Sequence, residues 1–571
     1  MFDLGTERTR MRLLVLGGAF LLLLIQAALL PPGAVWITDN GNKQMVLENL
    51  IRHGTPAMAN PAAELDPENR FFPDGSFHFR VEAGKIRSIY PEFFSAVALP
   101  GYRLFGEAGL WILPVGGTLA VLALFLALIA RLGLPPRLEA LLAGLLLCGS
   151  PLLFYSGTFW EMTAATAFPL AALLAARKRR WFFAGLLLGA GLWLREEFYL
   201  IALTAGIAAL AVYPKARKRL LPFGAGFLAL ALPLWLYNFT VYGHILGLHG
   251  ALYYTHNAEG VPTLTERLLG VFEGCFIYLW KFNSGNPEPV WYYWLALTPM
   301  FLLPVAGFLR GAERFKAGVG WAAVAAWAFL LRLYWTNPVP LFAAGLTVGF
   351  VTSSPLLAGL FLNWRNLLCR GSRPRRMVTL AALLYALALP LVLTRSDIGI
   401  IWGARHYLLM FPVFFALSFI GFVRLGWLRR RPVLLGAIAA AALVLQAMGV
   451  RLLFSAAEDA ARVQATVAAL EPRVVVSDVF FLPEMTPRLF FDKQWLYLRR
   501  DDRVDELIAA LRRGGVKRFT LILSASPQFR QLSDAGLARL LKAAPLAGEP
   551  FRLRGSGNGF LDLMIAECRL Q

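Results

Sequence analysis

This chain is short of charge. Only 16% of its 571 residues are Asp, Glu, Lys or Arg, against roughly 25% in soluble domains, and that shortage excludes a soluble enzyme. Cysteine is scarcer still. Cys148, Cys275, Cys369 and Cys568 show neither CxxC nor metal-ligand spacing, so no disulfide framework and no zinc site is indicated, and the four read as structural thiols. The polar C-terminal segment has no GxGxxG and no P-loop, which leaves a nucleotide site there without support. No internal repeat of the kind that marks many secondary transporters is evident either.

What the chain has in abundance is apolar residues, 58% of the total. They fall in uncharged runs long enough to cross a hydrocarbon core, which takes about 20 helical residues each time. The first run, 13–36, follows three arginines and carries no obvious cleavage signature, so it reads as an uncleaved span. After a polar stretch come runs near 108–130, 138–156, 160–176, 181–194, 198–213, 220–242, 290–309, 318–335, 339–362, 377–394, 402–423 and 432–454. The expected architecture is an α-helical polytopic membrane protein with about thirteen transmembrane helices. Its parts would be a membrane domain over 1–456 with outer loops at 37–107 and 243–289, followed by a small soluble α/β domain over 457–571.

Net charge is +21. In a soluble protein that would suggest nucleic acid, but here the basic residues cluster between apolar runs, so the partner they imply is the lipid bilayer and no nucleic acid is expected. With the N-terminus in the cytoplasm, seven inner segments hold 25 Lys and Arg, while the short outer connectors hold little beyond Arg195 and Arg395. The positive-inside rule therefore predicts a cytoplasmic N-terminus and a C-terminal domain outside, periplasmic in a bacterial inner membrane. In that domain, 473–477 and 518–524 read as short buried strands. Residues 501–513 read as an amphipathic helix closed by Gly514 and Gly515.

Charges near span ends are costly unless paired or wetted, which makes them functional candidates. Asp39 follows the first run within Trp36-Ile-Thr-Asp-Asn-Gly-Asn-Lys43. It is either part of a helix-ending Asp-Asn-Gly turn or a carboxylate placed to take a proton from an acceptor hydroxyl. Lys85 and Arg87 precede an amphipathic stretch to about 105 and are either headgroup contacts or a clamp for an anionic phosphate. Glu161 opens an apolar helix as a cap or as a site residue. Arg195 and Glu196, within the three charges of Leu194-Arg-Glu-Glu-Phe198, form either a salt-bridged turn or part of a site. Arg405, His406 and Tyr407 stand at the outer start of a late span, where an arginine either snorkels to headgroups or holds a lipid-linked phosphate.

Taken together, Asp39 after the first span, the basic pair before Tyr90-Pro91, the Tyr155-Ser156…Glu161 connector and the Arg405-His406-Tyr407 string resemble the C-type fold (GT-C) integral membrane glycosyltransferases. The branch is the one similar to protein O-mannosyltransferases and the lipid A aminoarabinose transferase. The resemblance implies an inverting transfer of a sugar from a polyprenyl-phosphate donor to a lipid or cell-envelope glycan acceptor. Asp39 would be the base, Lys85, Arg87 and Arg405 would hold the donor phosphate, and Glu161, Arg195, Glu196, His406 and Tyr407 would lie around the site. No cofactor and no metal is expected. The mannosyltransferases carry Asp-Glu after the first span whereas this chain has Asp39-Asn40, which points away from protein mannosylation. A transporter or flippase would want polar residues in mid-span, and an O-antigen-type polymerase or ligase would lack the early Asp; these are the alternatives.

Overall fold

A computed structural model describes the chain from residue 4 to 571 except for 34, 73–77, 83, 214, 216, 251–262, 266, 269–289, 337–348, 393–401, 404, 500, 527–529 and 556–560. Arg395 and most of the 243–289 loop lie outside the described residues.

Seven described helices are long and apolar enough to cross a membrane: Thr6–Leu29, Phe93–Leu132, Arg217–Tyr242, Glu313–Leu333, Arg373–Val392, Arg405–Arg424 and Pro432–Ala469. Four shorter apolar helices, Met162–Arg177, Trp181–Leu192, Glu197–Val212 and Leu297–Ala306, fall on further expected runs. The run at 138–156 becomes two helices, Pro136–Cys148 and Leu152–Ser156, because Pro151 lacks the N–H that would continue the first. The run at 339–362 lies partly outside the described residues.

The first helix, α1 (Leu4–Leu29), stops seven residues short of the expected Trp36. Pro31 and Pro32 follow it, and they end a helix whatever the hydropathy of the residues beyond. Hydropathy marks where a chain can be buried, and proline marks where the helix must stop.

The described chain divides into two compact units. One comprises 1–26, 113–157 and 161–452; the other comprises 27–112, 158–160 and 453–571. The first is helical. Its helices Trp181–Leu192 and Arg217–Tyr242 pack through glycine: a Cβ on Gly185 would lie 1.8 Å from the Phe223 carbonyl oxygen, and one on Gly226 would lie 2.0 Å from that of Phe182. Backbone contact of this kind holds helices together in lipid, where burying apolar surface gains nothing.

The second unit joins the expected 457–571 segment to the first polar loop. Strands β3 (Val474–Ser477), β4 (Gln494–Tyr497), β5 (Arg518–Ser524), β6 (Phe551–Leu553) and β7 (Leu563–Arg569) form one sheet in the order β4-β3-β5-β7-β6. Strand β3 runs parallel to β4 and β5, whereas β7 is antiparallel to β5 and β6. Alternate side chains go to opposite faces. Val474, Val476, Leu521 and Leu523 pack with Val504, Leu507 and Leu511 of the helix Val504–Arg513, which is the one the sequence places at 501–513. Val475, Ile522 and Ile565 pack with Met45, Met58, Phe79 and Ile86 of the first loop. Both faces are thus covered, one by the domain's own helix and one by residues of the first polar loop, which is why its strands read as unbroken apolar runs.

Candidate active site

Asp39 lies in the second unit, at the second residue of helix α2 (Thr38–His53). The Asp-Asn-Gly string is therefore the first turn of a helix rather than a turn that ends one. Asn40 accepts the Ile37 N–H at 3.3 Å, and an acidic residue at this position suits the positive end of the helix dipole. The helix is polar yet buried from Asp39 to Asn49. Such burial is expensive unless each polar group is met.

Around Asp39 the groups are met by partners from the whole unit. The Tyr90 hydroxyl donates to Asp39 Oδ1 at 2.8 Å. His78 Nε2 stands 3.9 Å from the same oxygen, and His78 Nδ1 lies 2.8 Å from Glu484 Oε2. The other Glu484 oxygen accepts from Asn42 Nδ2 at 3.1 Å, and Asn42 also donates to the His78 carbonyl at 3.3 Å. Ser88 donates its hydroxyl to the Asn42 side-chain oxygen and accepts the Tyr90 N–H at 3.0 Å. The ammonium of the buried Lys43 sits over the Tyr90 ring, 4.0 Å from its centroid. The result is a row of carboxylate, imidazole and carboxylate, with a phenol at one end.

Helix α2 reaches Glu484 because residue 41 is glycine. A Cβ there would stand 1.6 Å from the Glu484 carbonyl oxygen. A mid-helix glycine costs about 0.5–1 kcal/mol, and the close approach accounts for it.

Burial by itself would lower the pKa of His78. The Glu484 carboxylate, through its charge and its hydrogen bond, and then Asp39 turn the net shift upward against the opposing Lys43. The imidazole is therefore biased toward its cationic form.

Lys85 and Arg87 are on β2 (Lys85–Ser88), which pairs with β1 (Phe79–Glu82) in a hairpin that sets Arg87 across from Arg80 and Lys85 across from Glu82. Alternation turns Arg80, Lys85 and Arg87 to the face opposite buried Ile86 and Ser88; Lys85 is exposed and Arg87 half-buried. The amphipathic stretch expected after them is helix α3 (Phe93–Phe105).

The other candidates belong to the first unit. Arg195, in the connector after Trp181–Leu192, donates to Glu161 Oε1 at 3.0 Å through Nη1 and to Glu197 Oε2 at 3.0 Å through Nε, with Nη2 on the second Glu197 oxygen. Glu161 precedes its helix but makes no side-chain cap. His406 Nδ1 is 2.6 Å from Glu197 Oε1, and Arg405 Nη2 is 3.4 Å from His406 Nε2. The Tyr385 hydroxyl donates to the His406 carbonyl at 2.6 Å, and that of Tyr407 donates to the Ala386 carbonyl at 3.0 Å. Glu161, Arg195, His406 and Arg405 thus meet, Tyr407 is a packing residue beside them, and Glu196 faces His249 at 3.4 Å instead. Glu197, not Glu196, is the member the network uses.

The sequence reading missed His78, Glu484, Asn42 and Lys43. Lys43 alone carried a local signal, standing four residues after Asp39 and hence on the same helix face. Among the described residues no group of three or more His, Cys, Asp or Glu side chains is arranged to hold a metal ion.

Helices of membrane length, and in the second unit a buried carboxylate row with an imidazole at its centre, mark a polytopic membrane protein that holds a cluster of groups able to exchange protons. No protein-family model and no curated protein matches the chain. Among solved structures it is similar to ArnT from Cupriavidus metallidurans, both bound to undecaprenyl phosphate (13% identity, 97% of each chain, TM-score 0.42) and in the apo state (13%, 97% of each, TM-score 0.44). ArnT is a lipid A aminoarabinose transferase, the kind of enzyme to which the sequence motifs are likened above.

Proposed function

We propose that the chain is an inverting glycosyltransferase that moves a sugar from a polyprenyl-phosphate donor to a lipid or envelope-glycan acceptor at the outer face of a bacterial inner membrane. The observation that carries this reading is the Asp39 centre: a buried carboxylate at a helix start, hydrogen-bonded to Tyr90 and facing His78. Inversion at a sugar carbon needs one base to deprotonate the acceptor hydroxyl and a leaving group that can depart. Asp39 is the base. As the acceptor oxygen attacks, the bond between sugar and phosphate breaks, the polyprenyl phosphate takes the electron pair, and the acceptor proton passes to Asp39. Cations lower the cost of the developing phosphate charge, a role we assign to Arg405 together with Lys85 and Arg87.

The test is transfer itself. Purified protein in lipid nanodiscs, given an undecaprenyl-phosphate-linked sugar and an envelope lipid fraction, should release undecaprenyl phosphate and yield a glycosylated acceptor. A protein that moves the donor across vesicles without breaking the sugar–phosphate bond would be a transporter, and the proposal would fail. The sidedness is checked separately, since an alkaline phosphatase fusion after Arg499 should be active and a fluorescent-protein fusion there dark.

A further inference from the structure

We infer that the helical unit contains a binding site for an anionic phospholipid, built where four of its basic connectors converge. A cavity of about 940 Å³ is lined by Arg131, Arg177, Arg179, Arg219, Arg373 and Arg375, with Lys178 beside them, and by no Asp or Glu. Its cations come from segments scattered over some 245 positions of sequence.

The positive-inside rule accounts for basic residues in each of these connectors. It does not account for their gathering around one hollow. Seven cations side by side repel one another, and among the described residues none of them is in an ion pair. Elsewhere on comparable segments the chain supplies partners: Arg8 and Arg12 meet Glu139, and Arg137 meets Glu7. A hollow left positive on every side is complementary to phosphate, and arginine is the residue that holds phosphate through a planar fork.

The walls decide which phosphate. Between the cations stand Leu128, Leu173, Val413 and Ile420. A second, smaller cavity of about 110 Å³ shares Trp181, Tyr213, Arg219 and Met377 with the first and continues among Leu188, Ile201 and Phe223. Arg219 stands where the two cavities join. Its guanidinium lies 5.0 Å from the Tyr213 ring centroid and 5.6 Å from that of Trp181, a cation–π clamp that holds the charge at the junction. A cationic chamber opening into an apolar one matches a molecule with a phosphate head and a hydrocarbon tail. Basic pockets between membrane helices bind acidic lipid headgroups on this principle. The occupant is a lipid of the leaflet facing the basic connectors, distinct from the donor proposed for the Asp39 centre.

The experiment uses the full-length protein and tetraoleoyl diphosphatidylglycerol as probe, followed by native mass spectrometry. The wild type should retain this lipid and not dioleoylphosphatidylcholine. The double variant Arg177→Gln, Arg373→Gln should lose retention roughly ten- to thirty-fold, at about 1 kcal/mol per basic residue near an anionic lipid. Arg429→Gln, Arg430→Gln removes the same charge from a connector that does not line the cavity and should change little. Equal losses in the two variants would mean general attraction to basic loops and would overturn the site. Displacement of the lipid by inorganic pyrophosphate at equal concentration would mean that the ligand is a free phosphate compound, which overturns the lipid assignment. Should the double variant fail to fold, the wild type still decides. A photoactivatable diphosphatidylglycerol should label peptides covering 173–181 and 372–378, and labelling spread evenly over all basic connectors would refute the proposal.

Discussion

Two of the buried carboxylate centres among the described residues, one in each compact unit, have partners that differ in kind. Glu161 and Glu197 are tied to the fork of Arg195 at 3.0 Å, with His406 closing the network. Asp39 is met by a phenol at 2.8 Å and faces an imidazole at 3.9 Å whose other nitrogen is held by Glu484. A carboxylate paired with a guanidinium accepts a proton less readily, because arginine stays charged at every accessible pH. Here it joins the start of one helix to the connector before another. A carboxylate surrounded by groups that can themselves take or give a proton is a different device. Burial of an acid is therefore not enough to mark a catalytic candidate; the chemistry of its partners is what sets the proposed base at Asp39 apart from a carboxylate held by arginine.

The sharpest way to break this comparison is Asp39→Asn. It keeps size and hydrogen-bonding shape while removing the basic lone pair, and turnover in a sugar-transfer assay should fall by about 10²–10⁴ with melting temperature unchanged. If the folded Asn variant transfers sugar at the wild-type rate, Asp39 is a structural residue and Glu484 becomes the next carboxylate to test.

Arg195→Leu should do the reverse. Removing the cation from two buried carboxylates should cost about 3–5 kcal/mol of stability, read as a lower unfolding temperature in micelles. Loss of turnover without loss of stability would invert the roles assigned to the two centres. Arg405→Ala should weaken donor binding by roughly 2–5 kcal/mol if this buried arginine pairs with the donor phosphate, and Arg405→Lys should rescue only part, since lysine lacks the fork. Undiminished binding of undecaprenyl phosphate in the Ala variant would remove Arg405 from the site.

Smaller effects sharpen the Asp39 side. Tyr90→Phe deletes one hydrogen bond to Asp39 and should cost about 0.5–1.5 kcal/mol in transfer rate or stability. His78 supplies a pH signature. Burial alone would lower its pKa, but Glu484 and then Asp39 raise it above the ordinary 6.5. Its stabilising contribution is therefore complete below about pH 6.5 and is lost as pH rises through the higher folded value. Melting curves of the wild type should decline across that window, and His78→Gln should flatten the decline. An unchanged slope in the variant would assign the pH dependence to another group.

Much of this was legible beforehand, for identifiable reasons. Asp39, Glu161 and Arg195 stood out because each is a charge beside a long apolar run, and the strands β3 and β5 were visible because both of their faces are covered. The end of α1 was misplaced because hydropathy runs on past Pro31 and Pro32. Glu196 was chosen over Glu197 because adjacent identical residues cannot be told apart until the helix start sets which one turns inward. His78 and Glu484 left no trace at all. Each is an ordinary polar residue in a polar segment, and their partnership spans 406 positions, a distance at which no spacing rule operates.

That separation has a consequence in time. Asn42 and Glu484 are 442 positions apart, and at roughly 5–20 residues per second a ribosome needs on the order of 20–90 s to travel between them. Throughout that interval helix α2 waits with its buried polar face uncovered and Gly41 without the backbone it is shaped to receive. A nascent or truncated molecule, however well its helices have inserted, lacks the Glu484 partner of His78 and Asn42 until the last fifth of the chain arrives. Synthesis of the segment around Glu484 is in this sense the event that completes the Asp39 network.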